Sequence, residues 1–194
     1  MMGQARSPEG VKLIASILGA DEERLRRAES LLAQEFGLLD YRSELLPFTH
    51  TDYYTPEFGA PLVRVIVAFE PLMDPELLPV IKHRTNELEG GNSDRERRWV
   101  NIDPGYVSLS KLVLATTKNH SHRIYLRDGI YAEVTLRYQQ GTFRPWPWTY
   151  PDYASPPYIA IFNRIRHQYH RQLRSRFPPS ADGEDIQFKP RRKT

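Results

Sequence analysis

Residues 11–18 (VKLIASIL) form a short apolar run closed by Gly19, a pattern that predicts a buried strand. From Glu22 the period changes. Leu25, Ala28, Leu32 and Phe36 recur every three or four residues, so 22–36 is expected to be a helix capped by Asp21 and stopped by Gly37. Residues 38–46 leave room for a short second strand, and 61–69 (PLVRVIVAF) are β-branched enough to predict another. Asp74 and Pro75 open a second helix to about Leu88, with Leu77, Leu78, Ile81 and Leu88 facing inward. A polar loop at 89–98 leads to a short strand at 99–102. The order β-α-β-β-α-β is that of a ferredoxin-like split β-α-β core in an α+β protein with a mainly antiparallel sheet.

Asp103, Pro104, Gly105 and Tyr106 carry the residues of a type II turn. In 108–117 strict alternation fails, while Leu109, Leu112, Val113 and Thr116 fit helical spacing, which predicts a short helix capped by Ser108. A hairpin follows at 122–138. Ile130, Ala132, Val134, Leu136 and Tyr138 alternate with Tyr131, Glu133, Thr135 and Arg137, giving an apolar and a polar face. A two-residue turn at Asp128 and Gly129 would pair Ile124 with Glu133 and mix the faces. A three-residue loop, Arg127 to Gly129, instead pairs Leu126 with Ile130, Arg123 with Glu133 and Tyr125 with Tyr131. Residues 143–158 are a strap of prolines and aromatics. Ser155 and Pro156 then start a last helix with the stripe Tyr158, Phe162, Ile165, Tyr169 and Leu173, ended by Pro178. The expected organisation is a disordered 1–10, one domain over 11–177 with the hairpin and final helix extending the core, and a flexible basic tail at 178–194.

Composition narrows the chemistry. The chain has 194 residues and no cysteine, which excludes disulfides, cysteine-ligated zinc, iron–sulfur clusters and thiol catalysis. No apolar run approaches the ~20 residues of a membrane helix, and MMGQARSPEG lacks the apolar centre of a signal peptide, so a cytoplasmic protein without a membrane partner is expected. The net charge of +3 gathers in 164–176 and 189–193, as a solvated helix face and tail or as a contact for nucleic acid.

No GxxxxGK[ST], GxGxxG, GxSxG or HExxH motif is present. What remains is a dense polar set between 100 and 136. His120 and His122 put two imidazoles on one side of a strand, a chelating geometry if Asp103, Glu133 or Asp52 joins, although a hydrogen-bonded structural histidine is the plainer reading. Arg123 opposite Glu133 is an ion pair, or Glu133 is a general base held by Arg123 with Lys111 or Lys118 nearby. Thr116, Thr117 and Lys118 cap a helix end or present hydroxyls and an ammonium to phosphate. The strap and Tyr53-Tyr54 offer aromatic faces or simply a lid. Lys82, Thr85, Asn86 and Glu89 share one helix face, either solvated or turned to a cleft.

FTHTDYY, FEPLMDPELLPVIKHRTNELE, VNIDPGY, KLVLATTKNHSHRIYL, GIYAEVTLRY and WTYPDY, in that order over residues 11–173, resemble an uncharacterised bacterial family, domain of unknown function 4416. The resemblance implies no activity and transfers no catalytic residue. The function expected from the residues themselves is a pocket for a small phosphorylated or nucleotide-like anion. Asn101, Tyr106, Lys111, Thr116, Thr117, Lys118, Arg123, Tyr125, Tyr131, Thr135, Trp148 and Tyr150 would bind it. Glu133, Asp103 and His122 would carry any catalysis, with no metal and no cofactor assigned. The alternatives are an RNA-contacting module, with Tyr125 and Tyr131 stacking bases, and a protein-interaction scaffold. Oligomeric state has no signature in the sequence.

Overall fold

The computed structural model describes residues 3–49, 54–90 and 98–176. The expected basic tail at 178–194, and most of the polar loop, lie outside them. In chain order the elements are β1 (Val11–Gly19), α1 (Glu22–Phe36), β2 (Leu39–Arg42), β3 (Leu46–Phe48), α2 (Thr55–Phe58), β4 (Leu62–Met73), a 3-10 turn (Pro75–Leu77), α3 (Leu78–Gly90), β5 (Asn101–Val107), β6 (Lys111–Thr116), β7 (Arg123–Arg127), β8 (Ile130–Gln139), β9 (Thr142–Pro145), α4 (Pro151–Ala154) and α5 (Pro156–Arg176). All strands join one α+β sheet in the order β2-β4-β1-β5-β6-β8-β7, with β3 beside β4 and β9 beside β8, and every pairing is antiparallel. No helix among the described residues is long and apolar enough to cross a membrane.

The middle of the sheet is buried on both faces. Leu13, Ala15 and Ile17 of β1 pack with Leu25 and Leu32 of α1 and Ile81 of α3, while Ile14 packs with Phe162 and Ile165 of α5. This two-sided burial explains why 108–117 misleads. The segment is not a helix but contains strand β6, in which Leu112 joins the α5 side and Val113 the α3 side. With both faces apolar, alternation vanishes from the sequence. Ser108 does accept a bond from the Lys111 amide, at 3.2 Å, but it closes a strand connection rather than a helix.

Asp103 to Tyr106 is not a turn either; it is strand, with Pro104 opposite Ala15 and Gly105 opposite Leu114. A Cβ on Gly105 would stand 2.3 Å from the Val113 carbonyl oxygen, so only glycine lets β5 and β6 meet there. Pro104 lies just past the last β5–β6 pair, where the ladder asks for no N–H.

The hairpin has the expected couples, Arg123 with Glu133 and Tyr125 with Tyr131. Its loop differs. Arg127 pairs with Ile130 across a two-residue turn, Asp128 at φ 53° and Gly129 at φ 75°, and the register shift falls at Leu126 instead of lengthening the loop. A second bulge on β8 leaves Thr135 between the Leu112–Leu136 and Val113–Val134 pairs. It sends Leu136 to the α5 core while Ile130, Ala132 and Val134 stay on the α3 side, so the single apolar face expected for 130–138 is divided. Leu77, expected inward, is 42% exposed because its turn precedes the helix proper. The last helix follows expectation: Tyr158, Phe162, Ile165, Tyr169 and Leu173 are all buried.

Candidate functional site

The β5–β6 ladder ends at Gly105–Leu114, while β5 runs back to Asn101 and β6 on to Thr116. Beyond that point the sheet parts into a cleft. The backbone of Ile102, facing the missing strand, is taken up by α3: its N–H donates to Glu89 Oε1 at 2.7 Å and its carbonyl accepts from Lys82 Nζ at 2.9 Å. Side chains thus replace the absent ladder, as buried backbone polar groups require. The cleft opens into a cavity of about 650 Å³.

One wall comes from β5 and α3. Lys82 Nζ also stands 3.5 Å from Asp103 Oδ1, and Asn101 Nδ2 donates to Asp103 Oδ2 at 2.8 Å. Arg98 clasps Glu57 of α2 with two bonds, at 2.8 and 2.6 Å, and donates to Asn101 at 2.7 Å and Glu89 at 3.1 Å. Burial pushes the Glu89 carboxyl above the usual glutamate range, against the pull of Lys82 and Arg98.

The opposite wall comes from β6, β7 and β8. Glu133 Oε2 accepts from Arg123 Nε at 2.8 Å and lies 3.1 Å from His122 Nε2; its Oε1 accepts from Thr135 at 3.2 Å. Arg123 continues to the Lys118 carbonyl at 3.0 Å and Thr116 Oγ1 at 3.4 Å, which ties the 116–118 lip to the hairpin. At the end of the cleft Arg64 of β4 is buried, ion-paired to Asp152 of α4, with its guanidinium 4.4 Å over the Phe48 ring. Tyr153 is buried, and burial lifts its phenol well above the ordinary value, so it is a neutral group. Five cationic side chains (Arg64, Lys82, Arg98, Lys118, Arg123) and four carboxylates (Glu89, Asp103, Glu133, Asp152) line the cavity.

Of the residues picked from the sequence, Asn101, Asp103, Thr116, Thr117, Lys118, Arg123, Glu133 and Tyr150 meet around this cavity. The 116–118 segment leaves a strand rather than a helix. The Arg123–Glu133 couple, expected on a solvent-facing side, is buried, each side chain only 4% exposed. His122 stands behind it: one ring nitrogen meets Glu133, and the ring stacks on Trp148 at 5.6 Å and on His120 at 5.9 Å. Thr135 is buried beneath Glu133.

Other expected residues lie elsewhere. Tyr106 packs on the α3 side with Leu78 and Val113. Lys111 is at the far end of β6, opposite Arg137. Tyr125 and Tyr131 meet edge to face at 5.3 Å near the sheet edge. The strap does not roof the cleft with its tryptophans. Trp148 donates to the Val134 carbonyl and stacks on Trp146, which stacks under Arg137. Only the strap's end, at Tyr150 to Tyr153, reaches the cavity.

The sequence reading missed Arg64 and Arg98 and left the α3 face undecided. The signal for Arg64 was a lone charge within a β-branched strand. For α3 it was Lys82, Asn86 and Glu89 at i, i+4 and i+7, which the structure turns toward the cavity. Among the described residues, no group of three histidines or carboxylates stands close enough to hold a metal ion.

A family model described as Domain of unknown function (DUF4416) matches residues 9–169. No curated protein and no solved structure matches the chain.

Proposed function

The chain belongs to that family, DUF4416, and we propose that the cleft between β5 and β6 binds a small phosphorylated or nucleotide-like anion. The observation that carries the reading is the 116–118 lip. There Thr116, Thr117 and Lys118, backed by the buried Arg123, line the cavity. Hydroxyl and cationic donors on one lip suit the oxygens of a phosphate. Tyr54, Phe48, Tyr150 and Tyr153, farther along the lining, supply apolar and aromatic surface for the rest of the ligand. Asp103, with a third of its side chain exposed, is the carboxylate placed to meet ligand hydroxyls. Glu133 and His122 serve by holding Arg123, since the bonds of Glu133 are already committed.

The strand order β2-β4-β1-β5, with α1 and α3 against one face, supports a ferredoxin-like split β-α-β unit as the frame. Its other face is covered by α5, which argues against bases stacking across the open sheet. A cysteine-free chain fits a reducing cytoplasm.

The test is a thermal-shift and calorimetric series with inorganic phosphate, nucleoside monophosphates and phosphorylated sugars. At least one should raise the melting midpoint, with the gain lost in Lys118→Ala and Arg123→Ala. Because Arg123 is buried, Lys118→Ala is the variant that keeps the fold. Silence from the whole series, or equal binding by Lys118→Ala, overturns the reading.

A further inference from the structure

A second charged surface lies outside the cleft, on α5. The 21 residues of this helix contain five arginines, two histidines and no carboxylate. Elsewhere several surface arginines are neutralised: Arg24, Arg26, Arg42 and Arg84 each pair with an aspartate or glutamate within 4.0 Å, although Arg137 and Arg144 of β8 and β9 are exposed outside the ion pairs of the described residues. On α5 three such arginines share one helix. Arg164, Arg171 and Arg174 are exposed, and among the described residues none of them forms an ion pair. Arg164 and Arg171 flank His167 and Gln168 in an open groove of about 450 Å³ whose other wall is Tyr41 of β2. Arg164 to Arg174 spans about 15 Å along the helix, with Arg171 about two turns beyond Arg164 and Arg174 about one turn beyond Arg171.

Holding like charges in a row without counter-charges is unfavourable for the isolated fold. We propose that the outer face of α5 is a docking surface for the phosphodiester backbone of a nucleic acid, with Arg164, Arg171 and Arg174 contacting successive phosphates beside the Tyr41 groove. An anionic membrane is the poorer match. A helix lying on lipid presents an apolar face to it, whereas the apolar stripe of α5 is buried against the sheet and no exposed large hydrophobic residue lies on this helix. The surface is separate from the cleft, and neither reading depends on the other.

Three phosphate contacts to a single strand predict a slope of about −2 in log affinity against log salt, so roughly a fourfold rise in salt weakens binding about twenty-fold. Fluorescence anisotropy with a labelled mixed-sequence single-stranded RNA, and with DNA of the same sequence, reads this directly; a preference between them identifies the natural polymer. The full chain is expected to bind with that slope. Arg164→Gln/Arg171→Gln/Arg174→Gln should abolish binding. The α1 control Arg24→Gln/Arg26→Gln should bind as the native protein does, and the α5 sites are exposed enough that far-UV circular dichroism should be unchanged. No binding to either polymer at low salt, equal binding by the α5 variant, or binding only to phosphatidylserine vesicles overturns the proposal.

Discussion

Removing the carboxylate of Glu133 tests the buried couple behind the lip. Glu133→Ala leaves the Arg123 guanidinium, whose side chain is 4% exposed, without its anion. It keeps only the Lys118 carbonyl at 3.0 Å and the Thr116 hydroxyl at 3.4 Å. Breaking a buried pair from one side destabilises by about 3–5 kcal/mol, because the surviving charge stays desolvated. In a chain of this size that lowers the melting midpoint by about 10 °C. Deleting both charges removes the penalty with the pair. Glu133→Ala/Arg123→Met is therefore expected to recover most of the loss, since the apolar Met fills space without needing a partner. Urea unfolding of the two single variants and the double variant closes the cycle. A loss below about 1 kcal/mol for Glu133→Ala, or a double variant no more stable than that single one, would show that the couple is not the buried, mutually dependent pair described here.

Gly105→Ala should destabilise by about 1–3 kcal/mol, because its Cβ meets the Val113 oxygen at 2.3 Å and β5 must move from β6; an unchanged melting midpoint would contradict that contact. Burial raises the Glu89 carboxyl, so the fold keeps a proton that the unfolded chain has released. The contribution of Glu89 to stability is then greatest below the ordinary glutamate range and is lost as pH climbs through the raised value. Glu89→Gln should flatten that stretch of a urea-midpoint-against-pH curve, and an identical slope in the variant would refute the assignment. Lys111→Ala, at the far end of β6, should leave anion affinity unchanged, while Lys118→Ala weakens it about tenfold, as the loss of one charge-assisted contact does; titration calorimetry decides, and equal effects would disprove the placement.

Where an element kept a polar and an apolar side apart, its sequence was informative. Helix α1 shows a stripe, a cap and a glycine stop, and the hairpin couples follow from keeping Tyr131 and Glu133 apart from Ile130 and Ala132. Where both sides were buried the pattern lost its period, which is why β6 resembled a helix. Pro104 and Gly105 mimicked a turn because a turn and the end of a ladder make the same demands: a missing donor is tolerated and a side chain is not. The two bulges, at Leu126 and Thr135, leave no mark in composition, yet the one at Thr135 decides which face Leu136 joins. The site was legible where its residues lay close in sequence, from Asn101 to Glu133. Arg64 and Asp152 come from distant segments, and only the fold brings them together.

Ile102 is held on its open side by two pins, Glu89 and Lys82, rather than by a neighbouring strand. Its amide proton is guarded by how α3 docks, so its exchange with deuterated solvent tracks the helix instead of the sheet. A guest that drew Lys82 away would strip a carbonyl of its donor at the same moment, making occupancy of the cavity and the seating of α3 one coupled equilibrium.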